Sequence, residues 1–342
     1  MTILRIHMWA TLKCLIQVVE LSSLEDMKIL VTGATGFIGS WLTERLTKQT
    51  NFVTILVRPN SPRRFCIKSF EDKLDIVYGD IRDRDVVEQI VKNKDVIFHL
   101  AAVTQVVSSL KDPEETFSVN VHGTINVLEA MRRNNQEQAL VYASTDKVYG
   151  DPITLPITEE HPLIGKSPYD ASKIAAERAA YAYFKTYGLS ILISRSSNVY
   201  GGRDMNFLRA IPDFVSSAIL GKKITVRGSG KHVRDYMFVD DAVEAFLKMA
   251  TNITTFKGEV FNFGTGKATN VAELAILISR LAGNTGYDIL ERETPGEIDA
   301  QYVDWTKAKE KLGWQPKVEL NEGLRRTLDW YSANRELWNK FV

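Results

Sequence analysis

Residues 28–42 read KILVTGATGFIGSWL. A short apolar run ends at a glycine, and two further glycines follow at intervals of three: Gly33, Gly36 and Gly39. Over 37–49, Phe37, Ile38, Trp41, Leu42 and Leu46 form one apolar stripe at helical spacing. The order is strand, tight turn, amphipathic helix. Glycines at this spacing let the chain turn sharply, let backbone N–H groups approach a pyrophosphate, and aim a helix N-terminus at its charge. The plain alternative is a turn with three incidental glycines, and the strand that follows the helix argues against it.

Outward from this stretch the pattern repeats. KILVT (28–32), FVTILV (52–57), DIVYG (75–79), DVIFHLA (95–101), ALVYAS (139–144) and SILISR (190–195) are short, rich in Val and Ile, and continuous rather than alternating. Such runs predict strands buried on both faces. Helical patterns lie between them at 37–49, 120–134 and 172–188, the last stopping at Gly188. The fold class is therefore α/β, a doubly wound parallel sheet of Rossmann type with a smaller, mainly C-terminal α/β lobe. The expected division is an extension at 1–26, a dinucleotide-binding domain at 27–175 and a substrate lobe at 176–340, with parts of 176–260 crossing back. The extension reads as an appended helical segment or a start-site artefact, since Met27 stands directly before the first strand.

Bulk properties exclude several classes. The 342 residues carry a net charge of +1, so nothing favours nucleic acid or an anionic membrane. Cys14 and Cys66 are the only cysteines and the five histidines are scattered, so no metal site is expected. The apolar stretch at 3–21 is interrupted by His7, Lys13, Gln17 and Glu20, so no membrane span is expected and the compartment is read as cytoplasm.

At the end of the second strand an acid would bond a ribose 2′-hydroxyl and an arginine a 2′-phosphate. LVRPNSPRR supplies Arg58, Arg63 and Arg64, which favours NADP over NAD, the alternative being a solvated basic loop. Asp80 and Ile81 follow the third strand, placed for an adenine edge. Further on, Tyr169 and Lys173 stand four apart in YDASK and so share a helix face. A lysine ammonium beside a phenol is expected to lower the phenol's pKa and make it a usable base. The hydroxyl of Thr145, at the end of the fifth strand, completes a set suited to a substrate alcohol.

The chain resembles the extended short-chain dehydrogenase/reductases, in the branch of nucleotide-sugar epimerases and 4,6-dehydratases. The resemblance runs from Met27 to about Tyr331 and rests on TGATGFIG, FHLAA, STDKVYG, SPYDASK, RSSNVYGG, VRDYMFVDDA and FNFGTG. It implies a nucleoside diphosphate hexose as substrate, a homodimer, and a tightly bound, self-recycled NADP or NAD. It makes Thr145, Tyr169 and Lys173 the catalytic hydroxyl, phenol and lysine. Gly33, Gly36, Phe37, Ile38, Gly39, Arg58, Asp80, Ile81, Leu100, Ala101 and Ala102 would line the cofactor, with Tyr169 and Lys173. Asn198 and Arg234 would hold the diphosphate, and Glu297 would lie near the ribose. The family's arginine before Pro-Gly is Thr294 here, with Arg292 two positions earlier. Taken singly, each has a plain alternative: Asn198 satisfies a turn, and Arg234 pairs with Asp235 or Asp240.

Asp146 and Lys147 then separate two activities. A 4-epimerase needs no acid or base beyond the tyrosine, whereas a 4,6-dehydratase must also expel water across carbons 5 and 6. STDKVYG resembles the CDP-glucose type of dehydratase, which has Asp-Lys here, more than the dTDP-glucose type, which has Asp-Glu. This makes Asp146 the acid at carbon 6, and Lys147 either a neutral base at carbon 5 or a cation steadying the enolate. The bland reading caps the strand end with two solvated charges. The alternatives are a 4-epimerase and, less favoured, a non-catalytic dinucleotide-binding sensor.

Overall fold

A computed structural model describes residues 23–134, 137–291 and 298–342. The apolar runs form β1 (Ile29–Thr32), β2 (Val53–Val57), β3 (Asp75–Tyr78), β4 (Val96–His99), β5 (Ala139–Thr145) and β6 (Ser190–Ser196). The later strands are β7 (Asn198–Tyr200), β8 (Ile224–Val226), β9 (Val233–Arg234), β10 (Tyr236–Phe238), β11 (Val260–Phe263), β12 (Thr269–Asn270), β13 (Tyr287–Ile289) and β14 (Ala300–Gln301). Seven strands make one parallel sheet in the order β11-β6-β5-β4-β1-β2-β3. β1 lies between β2 and β4, with Ile29 opposite both Val53 and Val96. The strand order reverses there, so a crevice opens at the carboxyl ends of β1 and β4.

Both sheet faces are covered. Ile29, Val31, Ile55, Phe98 and Val141 point into one core with Leu42 and Leu46 of the helix Phe37–Leu46. Leu30, Ile97, Leu140 and Ile191 point into the other with Val127, Met131, Ala176 and Ala180. The last two alanines lie on the Pro168–Tyr187 helix, so that part of its apolar face is sheet-facing core. This helix begins four residues earlier than its apolar pattern suggests. Ser167 and Asp170 form a reciprocal cap, Pro168 fits the first turn, and Gly188 ends the helix at φ 73°.

β11, the remaining strand of the main sheet, escaped the sequence reading because Asn262 interrupts VFNF. In the structure Asn262 is fully buried, accepting from the Tyr149 hydroxyl at 2.6 Å and donating to the Ile157 carbonyl at 2.9 Å. The smaller sheets pair β7 with β10, β8 with β13, and β9 with both β12 and β14. Trp41 and Glu44 of the glycine-loop helix reach across to this part of the chain. The Trp41 indole donates to the Gly202 carbonyl at 2.7 Å, and Glu44 pairs with Arg203 at 2.6 Å. The first 22 residues, most of the extension, lie outside the described residues. No helix among the described residues is long and apolar enough to cross a membrane.

A Cβ at Gly39 would stand 2.1 Å from the Gly33 carbonyl oxygen, which is backbone and cannot step aside. Gly39→Ala is expected to cost at least about 1–3 kcal/mol, read as a lowered unfolding midpoint in urea. An unchanged midpoint would mean that the loop can relax around the added methyl group.

Candidate active site

At the mouth of the crevice, Gly33 has φ +77°, and a Cβ there would come within 2.7 Å of the Ala101 nitrogen and the Leu100 carbonyl carbon. The two strand ends therefore meet with no room for a side chain at position 33. Leu100 N–H donates to the Thr32 carbonyl at 3.1 Å, and Ala101 N–H to its hydroxyl at 3.3 Å. Gly36 precedes the helix as its N-cap, with no side chain bonded to the helix end and no acid in the first turn. Phe37 is buried and Ile38 half-buried behind it. This is a cradle that a phosphate pair can enter and a Cβ would fill, so the residues fit a dinucleotide.

Arg58 is exposed just past β2. Asp80 accepts from the Arg82 backbone and guanidinium at 2.7–2.9 Å. These bonds hold its carboxyl below the usual range, with Arg58 adding to the effect through its charge. Ile81 is buried and Ala102 half-buried beside the crevice. Arg64 is paired with Glu71 and stacked on Tyr78 at 5.6 Å, so this third basic candidate has a structural partner.

Thr145, Tyr169 and Lys173 meet at the end of β5. The Thr145 hydroxyl donates to Asp146 Oδ1 at 3.4 Å and is near enough to the Tyr169 phenol to favour its ionised form, and Lys173 Nζ donates to the Ala143 carbonyl at 2.6 Å. Lys173 also lies 4.5 Å over the Tyr142 ring. Burial is the main force on both groups. It pushes the phenol up to about 12, opposed by the Arg209 charge and the Thr145 hydroxyl. It pulls the lysine down to about 8, opposed by Glu177. Removing a phenolate from water costs more than these neighbours return, and Lys173 is not among the charges that act on the phenol.

The next two residues do not face solvent as capping charges would. Asp146 is 1% exposed, and its Oδ2 is buried without a hydrogen-bond partner. Lys147 Nζ lies 3.4 Å from the other oxygen, with 22% of the side chain open. Burial lowers the Lys147 pKa, Asp146 opposes this, and Arg234 reinforces it. Arg234 therefore stands within electrostatic reach of the pair. Asp235 accepts from Thr265 and Gly266, and Asp240 pairs with Arg326. Asn198 donates from both backbone and side chain to the Asp235 carbonyl, at 3.0 and 3.3 Å. Thr294, Arg292 and Glu297 lie outside the described residues.

The GDP-mannose 4,6-dehydratase family profile matches residues 30–327. The chain belongs to the nucleotide-sugar dehydratase and epimerase family of extended short-chain dehydrogenase/reductases. It is 37% identical to a putative UDP-glucose 4-epimerase of Methanocaldococcus jannaschii, covering 90% of this chain and 99% of that one. Among solved structures, a dTDP-glucose 4,6-dehydratase of Streptomyces venezuelae with NAD bound has a TM-score of 0.86 at 29% identity, covering 92% and 100% of the two chains. A UDP-glucose 4-epimerase of Thermotoga maritima with UDP-glucose has a TM-score of 0.82 at 30% identity, covering 90% and 100%. A family of dehydratases and epimerases makes the chain an enzyme, and the sensor reading falls away.

Two features of the site were missed from sequence. Arg209, just before the helix Ala210–Ile219, acts on Tyr169 through its charge, yet its position in sequence gives it no role. Behind β5, Glu177 accepts from Ser144 and pairs with Arg195 at 2.7 Å, both ends almost fully buried. Arg195 continues to the Tyr149 hydroxyl at 3.0 Å, and so to Asn262. Only the helical spacing of Glu177 from Lys173 hinted at this network. Arg195→Met leaves the Glu177 carboxylate buried and unpaired, so a loss of about 3–5 kcal/mol in urea unfolding is expected. A loss below about 1 kcal/mol, the range of a surface pair, would contradict the burial.

Proposed function

We propose that the protein is a nucleotide-sugar 4,6-dehydratase acting on a nucleoside diphosphate hexose. The observation that carries the reading is Asp146: a buried carboxyl with an unpartnered oxygen, one residue past the Thr145 hydroxyl and in contact with Lys147. A 4-epimerase has no work for such a pair, whereas water elimination needs an acid and a base.

Gly33, Gly36, Phe37, Ile38, Gly39, Leu100, Ala101 and Ala102 would hold the dinucleotide, with Asp80 and Ile81 at its adenine. When bound, the dinucleotide supplies a hydride acceptor for carbon 4, later returns that hydride, and in its oxidised form adds positive charge. Tyr169 Oη, as the phenolate that the positive charge of a bound oxidised dinucleotide would favour against burial, takes the proton of the 4-hydroxyl, which Thr145 Oγ1 steadies. Lys173 orients the set from the Ala143 carbonyl. Asp146 gives a proton to the departing 6-hydroxyl. Lys147, whose burial favours the neutral amine, takes the proton from carbon 5 and gives it back there when the 5,6 double bond is reduced. Asn198, Arg234 and Glu297 would hold the diphosphate and ribose, Arg234 by an arginine fork that suits phosphate oxygens.

Arg58, with no acid in the 58–64 loop, supports NADP over NAD. The solvent-facing Val107 and Leu110, beside the Pro113–Phe117 helix whose Phe117 is also exposed, support a homodimer, with the cytoplasm as its compartment. The second reading, a 4-epimerase, is favoured by the epimerases of Methanocaldococcus jannaschii and Thermotoga maritima among the similar proteins.

A panel of nucleotide hexoses followed by mass decides between them. A product lighter by one water, about 18 mass units, is expected, and an isobaric product alone would establish the epimerase. Asp146→Asn is expected to lower dehydration by at least about 100-fold, the scale of a lost general acid, while hydride exchange at carbon 4 survives. Unchanged dehydration would remove Asp146 from the reaction.

A further inference from the structure

Gln301 lies in β14, directly opposite Arg234 of β9, and its side chain is fully buried. Both ends of its amide are used at the Asp146–Lys147 pair. Lys147 Nζ donates to Oε1, and Nε2 donates to the main-chain carbonyl of Asp146 at 2.9 Å. The orientation is fixed by chemistry. A main-chain carbonyl only accepts, so the NH2 must face Asp146 and the amide oxygen is left for Lys147. No motif singled out this residue, because it lies far along the chain and contributes no charge.

We propose that Gln301 is a positioning residue that seats Lys147 Nζ against Asp146 with a neutral acceptor, so that the amine can be held without being locked as a cation. The proposal rests on the dehydratase reading for its purpose but not for its geometry. The charged groups acting on Lys147 are Asp146 beside it, Asp170 at the start of the Pro168–Tyr187 helix, and Arg234 on β9. A carboxylate at position 301 would add an anion within hydrogen-bonding reach and favour the ammonium. A side chain without polar atoms would release Nζ and leave the Asp146 carbonyl without its donor.

The test is the pH dependence of Lys147 acetylation by acetic anhydride, read by peptide mass on the whole protein with no sugar nucleotide present. Gln301→Glu is expected to move the midpoint upward by about 1–3 pH units, the range for a newly adjacent opposite charge. Gln301→Met, of similar length, is expected to raise the acetylation rate at fixed pH several-fold as the amine is freed. A midpoint unmoved in Gln301→Glu would overturn the proposal. Should that variant fail to fold, an unchanged rate in Gln301→Met would overturn it equally. Neither result depends on turnover. A failed shift therefore sinks the Gln301 role alone, whereas intact dehydration in Asp146→Asn sinks the function reading alone.

Discussion

A buried bond, from Lys173 Nζ to the carbonyl oxygen of Ala143, ties the Pro168–Tyr187 helix to the end of β5. An isolated ammonium in a protein interior is costly, so it persists only where polar partners surround it. Here they are the Ala143 carbonyl, the face of Tyr142 and the charge of Glu177. Tyr169, Lys173 and Glu177 follow one another at helical spacing along the end of β5: Tyr169 lies near Thr145, Lys173 bonds Ala143 and Glu177 bonds Ser144. One helix face thus fixes one strand end, and Asp146 and Lys147 are carried into position by the turn that follows.

The same burial sets the electrostatic character of the site. Tyr169 is pushed up and Lys173 and Lys147 are pushed down, so each group is driven toward its neutral form. Such a site is suited to passing protons rather than storing charge. Positive charge arriving with an oxidised dinucleotide would act on the phenol far more strongly here than in water. The protein supplies the dry surroundings, and the polar network behind β5 keeps them rigid.

Much of this was legible in the sequence because the relevant signals are local. The glycine loop, the buried strands and the Tyr169–Lys173 spacing each sit within a few residues of one another. Val260–Phe263 was not legible as a strand because Asn262 reads as a break until its partners, Tyr149 and Ile157, are brought in from elsewhere in the chain. Arg209 and Gln301 were invisible for a similar reason, since each acts on residues far away in sequence. The effect of burial on the phenol was not legible, because spacing reports which groups are neighbours and says nothing about how much water they lose.

The most direct test of the central claim is a single-turnover experiment that follows the near-ultraviolet absorbance of reduced nicotinamide after mixing with an accepted nucleotide hexose. The wild-type enzyme should show a transient rise that decays as the hydride returns to the sugar, and Tyr169→Phe and Lys173→Met should each show almost none. A full-sized rise at wild-type rate in either variant would contradict the account, because carbon 4 would then be oxidised without the phenol and lysine that the fold brings together.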